Sequence, residues 1–391
     1  MKKHLLRLAF INGLLFLSIC IFAQEYSDFY FTRVNGENGL SESNVKAILQ
    51  DSYGFMWFGT KNGLNRYDGT SILQFDCDDL EEGTGNHNIG ALFEDKERNL
   101  WVGTDRGVYI YNPAVDVFKR FKIASSEGIT LDNWVAEILS DSLDNIWVLI
   151  PDQGLFRYKD GKVHHYSLID KDNLKNNNPE CICINEQGEV WVGTSGIGLF
   201  KYNYRDDNFE QYLTDRMGRS LIDKTIISIC FQKENAILGI HEGDLLKYNT
   251  RTDELSEVSF LGEKKTFLRD VMCFGDEIWV GSLHGIFIIN EKENNVIHLK
   301  EDLMRSFSLS DNSIYSIYKD YEGGIWIGTM FGGVNYLPNR ILTFAKYVPG
   351  SDSYSLNTKR IRGLAEDNNG CIWIGTEDNG VNVLDPRTGK V

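Results

Sequence analysis

DSYGFMWFGTKNGLNRY, residues 51–67, is the stretch from which the rest of the chain can be read. Asp51-x-x-Gly54 suits a tight turn, because aspartate caps its own backbone and glycine accepts positive φ. Met56-Trp57-Phe58 is a short apolar run ending in Gly-Thr, which fits a buried strand of limited length. Asn62-Gly63 turns the chain back, and Leu64 to Tyr67 begins another strand. Alone, this is one hairpin carrying one tryptophan.

The same grammar returns along the chain. WVGT occurs at Trp101, WVLI at Trp147, WVGT at Trp191, WVGS at Trp279, and WIGT at Trp326 and Trp373. Between Trp191 and Trp279 the unit survives without tryptophan as Ile237-Leu238-Gly239-Ile240, so successive anchors lie 44, 46, 44, 46, 42, 47 and 47 residues apart. Asp51, Asp95, Asp141, Asp320 and Asp367 stand six residues before their tryptophans, and Asn185 holds the same place. A glycine follows each anchor, from Gly63 to Gly380, and an aromatic commonly comes four residues later, as at Tyr67, Tyr111, Tyr158, Tyr202 and Tyr336. A period of roughly 45 residues made of short strands and turns predicts propeller blades of four antiparallel strands. Such a blade cannot bury both faces itself. The anchors Trp57, Trp101, Trp147, Trp191, Trp279, Trp326 and Trp373 are therefore read as structural wedges between neighbouring sheets.

Bulk properties exclude some functions. The chain has 391 residues and a formal net charge of −16. Residues 1–23 contain three basic side chains and no acids, so the remainder sets 37 basic against 56 acidic groups. That balance argues against nucleic-acid partners, which need clustered Lys and Arg, and against docking on an anionic membrane. Residues 1–23 have a basic start and an apolar run before Phe22-Ala23, the pattern of a secretory signal peptide cleaved after Ala23. Export makes disulfides permissible. Cys181, Cys183, Cys230 and Cys273 fall on apolar first-strand runs, and the reading is that they pack as small hydrophobes near the axis.

Phe29–Val34 resembles the strands that end other units, such as Phe118–Phe121, Phe209–Tyr212 and Phe344–Tyr347. It reads as an outer strand without its own blade, a device by which circular propellers remove an open edge. The long connections Asp76–Asn88, Lys122–Asn133, Asp170–Asn178 and Lys300–Asn312 share one face with the turns that follow the tryptophan strands. Variable loops on a repetitive scaffold are where binding normally sits.

No nucleophile elbow, His-Glu-x-x-His or phosphate loop is present, so no catalytic residue, metal ligand or cofactor is assigned. The Asp-x-x-Gly-x-x-Trp turn is similar to the aspartate box of sialidase propellers, which is itself structural. Asp76–Glu82 concentrates carboxylates but lacks the glycine of a familiar calcium loop, and reads as a solvated acidic loop. For ligand binding, Trp134 stands out as the sole tryptophan outside the anchor series, with Asn133 beside it at the start of a first strand. Arg106, Asp152, His241 and His284 occupy turns after anchor strands, and the topology should bring them towards the same mouth.

Val-x-x-Ile-x-x-Asp, then Gly-x-x-Trp-x-Gly-Thr, then Gly-Leu-x-x-Tyr resembles the two-component regulator propeller repeat. It stands here as NVKAILQDSYGFMWFGTKNGLNRYDG and again as RIRGLAEDNNGCIWIGTEDNGVNVLDP. The resemblance implies the periplasmic sensor part of a hybrid two-component system anchored in the inner membrane. In that family two seven-bladed propellers precede a β-sandwich, a membrane helix and a histidine kinase, and the ligands are typically oligosaccharide breakdown products. It also implies that this segment, lacking those later parts, phosphorylates nothing itself, and that a homodimer would form through the downstream region.

Two architectures follow from the spacing: one ring of eight blades, or seven closed by Phe29–Val34 and then the first blade of a truncated second propeller. The family pattern and the Leu337-Pro338-Asn339-Arg340 break favour the second. The expectation is thus a signal peptide at 1–23, a seven-bladed propeller of four-stranded blades at 24–340, and the start of another at 341–391. Pairing of Phe31 with the strand around Val383 instead of Asn335 would defeat it. In function, the leading expectation is a periplasmic, non-catalytic module that binds a glycan-derived oligosaccharide. The alternatives are a propeller enzyme, lyase or glycosidase, which needs a carboxylate pair or metal-bound histidine at the axis, and a pure protein-interaction scaffold in a single eight-bladed ring.

Overall fold

The structure, a computed structural model, describes residues 29–75, 88–122, 128–168, 178–212, 215–260, 266–303, 305, 307–339, 347–350 and 353–391. The expected signal segment 1–23, the acidic loop 76–82, most of the connections Asp76–Asn88 and Asp170–Asn178, and all of Phe344–Tyr347 except its last residue lie outside the described residues. Among those described, strands dominate and the one helical element is a 3-10 turn at Gly36–Asn38.

Contacts divide the chain into two compact units, Arg33–Leu299 with Ser310–Leu337, and Met1–Thr32 with Lys300–Leu309 and Pro338–Val391. The larger unit contains seven sheets of four antiparallel strands. Their inner strands are Val45–Gln50, Ile89–Glu94, Glu137–Ser140, Pro179–Ile184, Ile222–Gln232, Leu268–Phe274 and Ile314–Lys319, here sheets 1 to 7. Consecutive sheets touch through these strands or the ones beside them, and sheet 7 returns to sheet 1, so the cycle closes. Strand Thr32–Val34 pairs with Val334–Leu337 and supplies the fourth strand of sheet 7. Sheets 4 and 5 are also joined edge to edge through Ser195↔Thr225 and Ile197↔Ile222.

Each part of the repeat has a physical reason. The aspartate uses one oxygen to cap its turn and the other to accept the indole N–H. Asp51 accepts from the Tyr53 and Phe55 amides at 3.0 and 2.9 Å and from Trp57 Nε1 at 2.7 Å. Asp95, Asp141 and Asp320 hold Trp101, Trp147 and Trp326 at 2.8, 3.0 and 2.8 Å. Asn185 caps its turn with its carbonyl but has no second acceptor for the Trp191 indole, whose N–H lies near the Glu189 carboxylate instead. The tryptophan rings meet the tyrosine of the following sheet: Trp57 with Tyr111, Trp101 with Tyr158, Trp147 with Tyr202, and Trp326 with Tyr67 across the closure.

The glycine of Trp-x-Gly-Thr permits this close stacking. A Cβ at Gly59 would lie 2.6 Å from Ile89, at Gly103 2.6 Å from Val135, and at Gly328 2.6 Å from the Val45 carbonyl. The threonine then ties its strand to the next turn, as Thr60 Oγ1 donates to the Gly63 carbonyl at 2.9 Å.

Two expectations need correction. Cys230 and Cys273 do not pack as separate small hydrophobes. They form a disulfide between the inner strands of sheets 5 and 6, where neighbouring first strands bring their Cα atoms to 5.7 Å. Cys181 is buried and Cys183 half-buried, both free, and Cys77 lies outside the described residues. Second, Trp373 does not wedge between sheets.

Trp373 belongs to the smaller unit, in a three-stranded sheet of Ile361–Glu366, Ile372–Thr376 and Val381–Leu384. That sheet keeps the repeat's local chemistry, with Asp367 accepting from Trp373 Nε1 at 2.9 Å. Yet Trp373 is 47% exposed where Trp147 is 0%. A Cβ at Gly375 would meet only its own sheet, at 3.7 Å. Its small core joins Leu356, Ile374 and Leu384 with Tyr347, Ile372 and Val391.

Candidate functional site at the axis and its mouth

An inner strand is an edge strand, so its axis-facing N–H groups need partners from elsewhere. The side chains that provide them project from the sheet before. The Ile182 amide donates to Glu137 Oε2 at 2.6 Å, the Val271 amide to Ser228 Oγ at 3.0 Å, and the Ile317 amide to Asp270 Oδ2 at 2.8 Å. The matching positions of the other sheets hold Ala47, Ala91, Cys181 and Ser316.

This ring places two carboxyls inside the protein. Burial, with Asp270 adding repulsion and the Ile182 amide opposing, pushes Glu137 up to about 8. Burial likewise pushes Asp270 up to about 6, against hydrogen bonds from Ile317, Ser228 and Val271. Both residues are half-buried. Among the described residues, no group of three or more His, Cys, Asp or Glu is placed to hold a metal ion.

One residue nearer the mouth, the inner strands bulge out of register, as between Val45 and Ala47 or Leu268 and Asp270. Around the ring these positions read Lys46, Gly90, Ala136, Glu180, Ile227, Arg269 and Tyr315. Lys46 Nζ lies 4.6 Å from the centre of the Trp134 ring and 3.4 Å from Asn88 Oδ1. Burial and then Lys61 lower the Lys46 pKa, with Asp105 opposing. Arg269 lies over Tyr315, 5.9 Å from its centre. Burial and then Asp152 raise the Glu180 carboxyl.

The sequence-derived candidates fall into three groups. Trp134, Asn133 and Arg106 are neighbours, because the Leu131–Asp132 backbone lies against the turn at Gly107. Asp132 pairs with Arg120 at 2.9 Å, and Arg120 also donates to the Arg106 carbonyl at 3.2 Å. Asp152 is exposed and close enough to Glu180 to perturb it. His241 and His284 flank Thr266–Leu268. The His241 carbonyl accepts from the Leu268 amide at 3.2 Å, its ring lies 5.0 Å from that of Phe267, and His284 Nδ1 meets Thr266 Oγ1 at 2.6 Å. Among the described residues, no hydrogen bond, ion pair or ring contact joins one group to another.

Sequence reading missed Lys46, Glu137, Glu180, Arg269, Asp270 and Tyr315. The available signal was a charged or hydroxyl residue set inside an apolar first strand, as in Leu268-Arg269-Asp270-Val271.

The family model described as "Two component regulator propeller" matches residues 39–62, 83–106, 308–331 and 355–378. Histidine kinase P4 of Formosa agariphila is 46% identical over 54 residues, which are 14% of this chain and 4% of that protein. The extracellular domain of a hybrid two component system of B. thetaiotaomicron shares 25% identity at a TM-score of 0.70, over 93% of this chain and 48% of that one. A second extracellular domain from that organism, of a one component system, shares the fold at 23% identity and a TM-score of 0.67, over 92% of this chain and 53% of that one. The chain therefore spans about half the length of these solved domains. No helix among the described residues is long and apolar enough to cross a membrane.

Proposed function

We propose that this chain, which carries two component regulator propeller repeats, is the periplasmic sensing module of a two-component system and binds a glycan-derived oligosaccharide at its propeller mouth. The observation that carries the reading is the mouth itself, where Trp134, Tyr315 and Phe267 offer ring faces beside Lys46, Asn88, Glu180 and Arg269. Aromatic faces stack on pyranose C–H groups and polar side chains take the hydroxyls. The Cys230–Cys273 disulfide accords with export to an oxidising compartment. The module is non-catalytic, and occupancy is transmitted to a kinase elsewhere in the parent protein. Calorimetric titration with a panel of neutral and acidic oligosaccharides tests this. Saturable heat from at least one class is expected, and silence across the panel refutes direct sensing.

The axial pair Glu137 and Asp270 favours a second reading, a lyase or glycosidase. Each acid already spends an oxygen on a neighbouring amide, which is the behaviour of a strand cap. Reducing-sugar release that disappears in Glu137→Gln would establish the enzyme. No release from the wild type is expected.

A further inference from the structure

The mouth is not uniform in chemistry. In an acidic chain, Lys46 and Arg269 stand on inner strands with no ion pair among the described residues, each against an aromatic ring. Sheets 6, 7, 1, 2 and 3 form a continuous arc carrying, in order, Arg269, Tyr315, Lys46, Gly90 and Trp134. Gly90 is what lets the arc join. A Cβ there would lie 2.6 Å from Trp134 Cζ2 and Cη2, so only glycine allows the indole to cross sheet 2 and reach Lys46. Burial and the neighbouring Lys61 outweigh the attraction of Asp105, so the Lys46 pKa is lowered. Such a cation gains by acquiring an anion. Glu180, in sheet 4, stands outside the arc.

We propose that this arc binds an acidic oligosaccharide, with sugar carboxylates held at Lys46 and at Arg269 and neighbouring rings stacked on Trp134 and Tyr315. The assignment rests on the oligosaccharide-sensing reading and adds the charge class of the ligand. Two cations with no ion pair among the described residues, in a strongly acidic molecule, also concentrate field at the mouth and draw in anions selectively.

The test is calorimetry on the whole chain with linear uronate trisaccharides (galacturonate, glucuronate-containing and guluronate) and the methyl ester of each. The ester keeps every hydroxyl and removes the charge. The acids are expected to bind about tenfold or more tightly than their esters, with affinity falling as salt rises. Lys46→Gln and Arg269→Gln should each weaken acid binding about tenfold and ester binding by much less, so that the preference for acid over ester falls in each variant. Arg269 is exposed, so its replacement leaves the fold intact, and circular dichroism checks both variants. Equal binding of acid and ester, or acid binding indifferent to both substitutions, overturns the charge assignment while the sensing reading stands. Binding of neither by any trisaccharide overturns the charge assignment, and the sensing reading falls with it only if neutral oligosaccharides are silent too.

Discussion

Glu137→Gln is the perturbation whose magnitude the structure defines best. Its carboxyl is held near 8 from an ordinary 4.5, by burial first and Asp270 second. Between those values the folded protein keeps a proton that the unfolded chain has released, so stability falls as pH rises through the window. At about 1.4 kcal/mol per pH unit the upper bound is about 5 kcal/mol above pH 8. Because the residue is only half-buried the penalty is softened, to about 2 kcal/mol. Glutamine keeps an oxygen for the Ile182 amide and removes the charge. Urea unfolding at pH 5.5, 7 and 8.5 should therefore show wild type losing about 2 kcal/mol more than the variant across the range. Asp270, pushed only to about 6, leaves the variant a residual slope confined to the lower part of that range. Parallel pH profiles for the two proteins would refute the reasoning.

Three further outcomes can be read by the same unfolding assay. Asp141→Ala should cost about 3 kcal/mol or more, since it strips acceptors from the Leu143 and Asn145 amides, Trp147 and Tyr204 at a buried turn. The equivalent Asp367→Ala, at an exposed turn, should cost about 1 kcal/mol; equal losses would contradict the burial argument. Gly103→Val should cost about 3 kcal/mol or prevent folding, because its Cβ meets Val135 at 2.6 Å, whereas Gly375→Val should be close to neutral. Replacing Cys230 and Cys273 by alanine releases a loop with a sequence separation of 43 residues and should lower stability by about 4 kcal/mol; no change would mean that the bridge does not form in solution.

The sequence exposes what is local and hides what depends on the ring. Asp51 and Trp57 lie six residues apart and their bond is decided within one turn, so their recurrence was enough to define the four-stranded unit. Trp373 carries an identical motif and the same bond, yet its exposure differs completely, because burial comes from the neighbouring sheets and not from the motif. The Cys230–Cys273 bridge was invisible for that reason: two cysteines on separate apolar strands meet only once the sheets are stacked. Trp134 could be singled out as an odd tryptophan, but its partner could not, since Lys46 reaches it from two sheets away across Gly90. Glu137 and Asp270 sat in plain view inside first strands. Their purpose emerges only from the unpaired amides of the next sheet.

The central claim is that the mouth of the ring is where a ligand is sensed. Hydrogen–deuterium exchange with and without the tightest-binding oligosaccharide tests it directly, because it reports location as well as binding. Protection should concentrate in the inner-strand segments around Lys46, Gly90, Trp134 and Arg269, and vanish in Trp134→Ala. Protection confined to the outer strands, or unchanged by that substitution, would contradict it.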